Sequence, residues 1–227
     1  MVDHWKAFIT ELQDEILPLY THHEAIFDFV GMHGRMHICR AVLFSEWMAR
    51  RYLDWGETVD LCAVRFAAAF HDSGREANGF DLWEEESAEN CRKYLEKRST
   101  SRNGACALQV KPGEAGGYIL KTGDWGLNQR IAQDADVLEI MRPCCGVGGL
   151  PAFRRSKLLF LRDDDPYCSR AEAKEDLRET LVQEAWRWIQ ATEAIKPGLF
   201  KVENYMERLL EFLGEKKNSF PLLAQLL

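Results

Sequence analysis

The residues of this sequence best suited to chemistry are an adjacent imidazole and carboxylate, His71 and Asp72. They directly follow the apolar run 67–70, which is predicted to form the last turns of a buried helix. Gly74 then allows the chain to turn sharply, so the pair lies at an open helix end. Neighbouring nitrogen and oxygen donors suit a divalent metal ion. Because a His-Asp dipeptide also arises by chance, such a site requires further ligands elsewhere.

A second group of polar side chains lies at the predicted start of an earlier helix, which is expected to run from about His37 to Tyr52. His37 stands at the end of the apolar face of this helix. Antiparallel packing against the helix that ends at His71 would bring the two imidazoles together. A single histidine in this position is usually a satisfied core residue, but His33 and Arg40 lie close by, and such clustering favours a site.

A third candidate is Asp136, within a helix predicted over 127–142 and flanked by Ala132 and Ile140 at one-turn spacing. A carboxylate on an apolar face is costly without a partner. A metal ion or a buried cation would relieve that cost, and the residues leave both alternatives open. Asp134 points to a different face and is expected to be solvated.

Most of the remaining sequence also has helical periodicity. Further helices are predicted over these ranges: 5–19, 58–71, 82–98, 171–194 and 202–213. The stretch 99–117 is rich in Ser, Gly and Lys and is predicted to be a long loop. The acidic run 84–86 opens one predicted helix, where carboxylates favour the helix dipole; a ligand or base role for one of them is the weaker alternative.

Composition limits the function classes. The chain has 227 residues, a formal charge of -7 and no long basic run, which argues against binding to duplex nucleic acid. A small anionic substrate remains compatible, since a metal ion and a few arginines supply local positive charge. The seven cysteines lack zinc-type spacing, and no signal peptide or membrane-length apolar run is seen. We therefore expect a cytoplasmic protein without a membrane segment.

In chain order, His37, the pair His71-Asp72 and Asp136 resemble the H…HD…D signature of the HD superfamily of metal-dependent phosphohydrolases. The resemblance covers about residues 30–142. It implies hydrolysis of a phosphate ester with one divalent metal ion, held by these four side chains. The identity of the ion stays open among Mn, Fe, Co, Ni, Mg and Zn.

The resemblance also implies an all-α fold, an HD-domain helical bundle with extra N- and C-terminal helices. The chain is expected to form a single domain, divided as follows: core about 30–142, N-terminal helix 1–29 and C-terminal helical extension 143–227. The terminal helices either cap the core or form an interface, so a homodimer is compatible with the sequence.

Two departures from the family pattern matter. No histidine follows His71, whereas relatives that hold a second metal ion have additional histidines, so a single-metal site is expected. Many HD nucleotidases place a glutamate three residues after the aspartate of the His-Asp pair. Here that position is Arg75, and the glutamate Glu76 follows it, so the family's acid/base residue does not carry over directly.

The neighbouring side chains receive predicted roles in the mechanism. Glu76 is expected to orient a metal-activated water or take its proton. His33 is expected to protonate the leaving oxygen, because histidine exchanges protons near neutrality. Arg75, Arg35 and Arg40 are expected to bind the phosphate.

The leading hypothesis is a metal-dependent phosphohydrolase or phosphodiesterase that cleaves a phosphate ester of a nucleotide-like small molecule. The alternative is an HD-type module that binds metal or nucleotide without turnover and acts in regulation. A third interpretation, a helical scaffold without a site, requires the conspicuous His and Asp residues to be unrelated core residues.

Overall fold

The computed structural model describes residues 4–26, 33–77, 83–99, 110–120, 125–140, 182–193 and 204–227. All regular secondary structure in these ranges is helical, so the all-α prediction is confirmed. The α-helices are α1 (His4–Glu11), α2 (Thr21–Ile26), α3 (Arg35–Asp54), α4 (Leu61–Phe70), α5 (Glu84–Ser99), α6 (Pro112–Ile119), α7 (Leu127–Ile140), α8 (Val182–Glu193) and α9 (Tyr205–Glu215). A π turn (Leu12–Ile16) and a 3-10 turn (Leu17–Tyr20) join α1 to α2, and a 3-10 turn (Leu223–Leu226) closes the chain.

Helices α3 and α4 form the centre of the molecule and pack antiparallel. Glu46, nine residues after His37, forms a buried ion pair with Arg65, six residues before His71, with Nε to Oε2 at 2.6 Å. This pairing brings the start of α3 to the end of α4, as the sequence predicted. Both helices are buried around most of their circumference, and the buried residues of α3 include polar side chains such as Arg40 and Glu46.

The chain turns tightly after α4 and packs on the start of α5. The Arg75 amide donates to the Asp72 carbonyl at 3.1 Å, and the Gly74 amide donates to the Ser87 hydroxyl at 2.9 Å. A Cβ atom at position 74 would lie 2.8 Å from the Ser87 amide and from the Glu86 Cβ. Glycine is needed here because only a residue without a side chain allows the turn to approach α5 this closely.

The loop predicted over 99–117 is wrong in its second half, because α6 (Pro112–Ile119) is a helix. Its proline occupies the first turn, where the missing N–H costs nothing. Gly116 lets α6 approach α5 so closely that a Cβ there would lie 2.9 Å from the Ala88 carbonyl oxygen. Glycines that indicated a loop therefore serve a helix–helix contact. Residues 100–109 lie outside the described part of the chain.

The C-terminal elements are packed into the same hydrophobic core as the rest, which extends from Trp5 to Leu226. The Glu184 carboxylate on α8 accepts from the amides of Leu222 and Leu223 at 2.9 and 2.8 Å. The Trp47 indole of α3 donates to the Leu222 carbonyl at 3.0 Å. Helices α8 and α9 lie within the predicted ranges 171–194 and 202–213 to within two residues, although 171–181 lies outside the described residues. Among the described helices, none has the length and apolarity needed to cross a membrane.

Candidate metal centre

Four side chains from three regions of the chain bring potential ligand atoms to one point. His37 Nε2 lies 2.9 Å from His71 Nε2, 3.3 Å from Asp136 Oδ1 and 3.7 Å from Asp72 Oδ2. His71 Nε2 lies 3.4 and 3.8 Å from the same two oxygens. Donors bound at about 2.1 Å in a tetrahedron are about 3.4 Å apart. The five distances are close to that value, and the donor atoms of His37, His71 and Asp136 form one group that could hold an ion.

Helix ends position these ligands. His37 lies in the first turn of α3, which begins after the extended residue Gly34. His71 directly follows the last residue of α4, and Asp72 lies in the turn that packs on α5. Asp136 comes from the middle of α7, which packs against both α3 and α4. The predicted meeting of the two imidazoles is confirmed.

The hydrogen bonds made by Nδ1 of each imidazole determine that Nε2 is the nitrogen available to bind a proton or a metal ion. The Nδ1 of His71 donates to the Ala68 carbonyl at 2.7 Å, and a carbonyl can only accept. The Nδ1 of His37 donates to the Glu139 carboxylate, also at 2.7 Å. In the neutral rings both Nε2 atoms therefore carry lone pairs. Two lone pairs only 2.9 Å apart repel each other unless a positive charge, a proton or a metal ion, lies between them.

The carboxylates also favour a positive charge between the two imidazoles. Asp136 Oδ1 is buried and makes no hydrogen bond of ordinary geometry. Burial opposes ionisation of Asp136, but His71 and His37 outweigh it and hold its pKa well below the usual range. Conversely, burial lowers the pKa of His37, while Glu139 and Asp136 raise it to about 10. The site therefore stabilises anionic oxygens and attracts cations.

The charge count leads to the same conclusion. Three carboxylates in mutual contact with the histidines, those of Asp72, Asp136 and Glu139, face two guanidinium groups. These belong to Arg75, whose Nη2 lies 3.1 Å from Asp72 Oδ1, and to Arg40, which pairs with Glu139. With neutral imidazoles these groups sum to one negative charge, which either a proton on His37, whose pKa is raised to about 10, or a bound cation would offset. Imidazole nitrogens and carboxylate oxygens are donors that divalent ions accept, so the residues present fit a metal ion.

His33 lies at the edge of this cluster, with 13 % of its side chain exposed. Its Nδ1 is 3.0 Å from Asp72 Oδ2, so the carboxylate orients the ring. The donor atoms of His33, His37 and Asp72 lie within 4.8 Å of one another and form a second group that could hold an ion. His33 can therefore act either as an additional ligand or as a proton donor beside the site.

A cavity opens next to the ligand atoms, and His71, Asp72 and Asp136 form part of its lining. Its other walls come from the start of α5, from α6 and from α7. The side chains on these walls that could contact a bound molecule are Trp83, Glu84, Tyr118 and Gln133. The cluster is therefore buried on one side and borders, on the other, a small cavity with room for about one or two water molecules.

Arg75 and Glu76, which both have predicted roles in the mechanism, differ in burial and in contacts. Arg75 is buried, contacts Asp72 and stacks with its guanidinium 4.9 Å from the centre of the Trp83 ring. Glu76 is exposed and is not among the described residues that line the cavity. The acid/base role of Glu76 stays a prediction without structural support.

Like Arg75, the other two arginines predicted to bind the phosphate form ion pairs within the protein. Arg35 Nε lies 2.5 Å from Glu24 Oε2. Arg40 is fully buried, and its Nε donates to Glu139 Oε1 at 2.6 Å. Binding of phosphate by either arginine stays a prediction, and the geometry of Arg40 favours contact with a carboxylate over contact with a ligand.

Sequence reasoning missed Glu139 and misplaced Asp134. Glu139 follows Asp136 by three residues, so it lies on the same helical face, and this spacing was the available signal. Asp134 is 2 % exposed, so its predicted solvation is wrong. Helix α7 packs against α3, α4 and α6, which leaves little of its surface open to water.

The sequence matches no protein-family model, and searches of characterised proteins and of solved structures return no significant match. The resemblance to the HD superfamily therefore depends on the order of the motif and on the geometry of the cluster.

Proposed function

We propose that this chain is an HD-type, metal-dependent phosphohydrolase or phosphodiesterase that acts on a nucleotide-like small molecule. The observation that carries the proposal is the meeting of two imidazole lone pairs, on His37 and His71, with two carboxylates at the floor of a cavity. The cluster combines nitrogen and oxygen donors with a cavity that three of the four side chains line, and this combination supports a metal site.

The four ligand side chains would hold a single divalent ion. Such an ion, when bound, lowers the pKa of a water and polarises a phosphoryl oxygen. Because three of the four ligands line the cavity, an ester that enters it reaches the ion from the open side. The donors include both nitrogen and oxygen, which is compatible with several first-row metals and leaves the identity of the ion open.

The chain's own residues supply the remaining steps. Asp72 holds His33 through its Nδ1, which leaves Nε2 as the nitrogen able to pass a proton to a leaving oxygen. Glu84 places a carboxylate on the cavity wall, where it can orient the attacking water. Trp83 and Tyr118 provide aromatic surfaces for a planar group such as a base.

The alternative is a module that binds metal or nucleotide without turnover. It is favoured by one observation: the glutamate nearest the family's acid/base position, Glu76, is exposed and away from the described cavity lining. Tight nucleotide binding without product formation would support this alternative.

The test begins with elemental analysis of the purified protein. The protein is then stripped with a chelator and reloaded with Mn²⁺ or Co²⁺. Phosphomonoesters, nucleotides and phosphodiesters are assayed with the wild type and with His71→Ala and Asp72→Ala. The proposal expects at least one hydrolysed ester and loss of activity in both variants. His22→Ala, a change of an exposed histidine on α2, is the matched control and should keep full activity. A metal-loaded protein that cleaves nothing in the panel would contradict the proposal.

A further inference from the structure

We propose that Glu139, Arg40 and Tyr205 act as a buried positioning relay, which orients the metal-binding imidazole of His37 and makes the docking of α9 part of the metal centre. The inference rests on the metal site of the proposed function but not on any turnover. Each member of the relay is 0–1 % exposed.

The relay begins at Glu139, which uses its two oxygens for different partners. Oε2 accepts from His37 Nδ1 at 2.7 Å, and Oε1 accepts from Arg40 Nε at 2.6 Å. Because one oxygen is hydrogen-bonded to Arg40, the carboxylate is held in one rotamer with the other oxygen directed at the imidazole. The proton of His37 is thereby kept on Nδ1, and the lone pair of Nε2 is directed at the cluster. A carboxylate behind a metal-binding histidine fixes the ring in this way and makes it a better ligand.

The relay continues to the C-terminal part of the chain. Arg40 Nη1 donates to the Tyr205 hydroxyl at 2.5 Å, and the guanidinium carbon lies 5.7 Å from the centre of the tyrosine ring. Tyr205 is the first residue of α9 and lies 165 positions away in sequence. The helix therefore contributes a polar group to the metal centre in addition to apolar packing.

Stability alone does not explain this arrangement. A fully buried ion pair pays a desolvation penalty that often equals its electrostatic gain, and apolar side chains of similar size commonly stabilise a core as well or better. Arg40 is among the largest fully buried side chains of the described residues, and Glu139 is fully buried beside it. Orientation of the neighbouring imidazole is the benefit that an apolar pair could not provide.

The experiment measures Co²⁺ binding by calorimetry and by the visible spectrum of the bound ion, which reports ligand geometry without any need for turnover. Glu139→Gln should weaken Co²⁺ binding roughly 10- to 100-fold and change the spectrum. Tyr205→Phe removes only the hydroxyl and should weaken binding less, by about threefold to tenfold, in the same direction. It also keeps the test valid if Glu139→Gln fails to fold.

Two controls separate the relay from general stability. Leu209→Ala loosens a buried apolar contact of α9, and Tyr94→Phe removes a tyrosine hydroxyl that bonds Glu11 away from the site. Both should lower the unfolding temperature or leave it unchanged while keeping wild-type Co²⁺ affinity and spectrum.

The relay is overturned if Glu139→Gln and Tyr205→Phe bind Co²⁺ as the wild type does, or if Leu209→Ala weakens binding as much as Tyr205→Phe. Wild-type protein that binds Co²⁺ but cleaves no ester would contradict the proposed hydrolase and leave the relay intact, so the two failures are distinguishable.

Discussion

Helix α3 carries buried charge at two levels that differ in how fully the carboxylate oxygens are hydrogen-bonded and in whether a cavity lies beside them. Near the middle, both oxygens of Glu46 accept hydrogen bonds from Arg65, at 2.6 and 2.7 Å, and Arg50 adds another at 2.8 Å. The rings of Trp5 and Phe8 cover the Arg65 guanidinium at 5.3 and 5.9 Å. Both Glu46 oxygens are therefore hydrogen-bonded, and the Glu46–Arg65 pair is buried.

At the start of the same helix, His37 belongs to a cluster that has an Asp136 oxygen without an ordinary hydrogen bond and a small cavity beside it. Burial of charge is common to both levels, so burial does not distinguish a site from a structural ion pair. A site is distinguished by buried polar atoms that lack a hydrogen-bond partner and by a cavity that leads to them. The four predictions that follow test this difference, in order of decreasing effect.

Glu46→Gln should destabilise the protein by about 3–5 kcal/mol, because it leaves the Arg65 guanidinium buried without a counter-charge. Chemical denaturation measures the loss. Metal affinity, determined where the variant is still folded, should equal that of the wild type. A parallel fall in affinity would mean that the two clusters are coupled, and the distinction drawn between them would fail.

Asp136→Asn should lower metal affinity strongly and stability less, which is the reverse of Glu46→Gln. Removing one carboxylate charge should lower Co²⁺ affinity by roughly 100-fold or more, about 2.7 kcal/mol. The metal-free variant should lose less stability than Glu46→Gln, because asparagine keeps a polar group beside His37 and His71, whereas Glu46→Gln leaves a guanidinium buried without its counter-charge. Calorimetric titration and denaturation of the same preparations give both numbers. Unchanged affinity would remove Asp136 from the ligand set.

Glu84→Gln and Glu76→Gln compare the carboxylate on the cavity wall with the one predicted from sequence. If Glu84 orients the water, its change should lower kcat about tenfold, or about 1.4 kcal/mol. The exposed Glu76 should tolerate the change within about twofold. Steady-state kinetics on an ester that the panel shows to be hydrolysed measures kcat for both variants. The reverse ranking would restore the role predicted for Glu76.

Arg50→Ala should have the smallest effect, below about 1 kcal/mol, because Arg50 is 35 % exposed and its bond to Glu46 is screened by water. A loss as large as that of Glu46→Gln would show that the middle cluster depends on both arginines. Chemical denaturation of Arg50→Ala and Glu46→Gln under the same conditions provides the comparison.

The sequence alone determined the helical class and the main metal-site candidates. His37 and His71 stand where apolar helical faces begin or end, and Asp136 interrupts such a face. These are local signals, because they depend on residues within one or two turns of each other. Antiparallel packing of two helices was enough to predict that the imidazoles meet, and the structure brings them to 2.9 Å.

Only the tertiary structure decided which polar groups face the site from elsewhere. The partners of Arg40 lie 99 and 165 residues away, at Glu139 and Tyr205, and no local pattern links them. The buried state of Asp134 and the helix around Gly116 likewise depend on which surfaces come to lie against each other. Periodicity reports which face of a helix is apolar, whereas the partner of each buried charge is set by the packing of distant helices. This is why the candidate metal-site residues could be named from the sequence and the network around them could not.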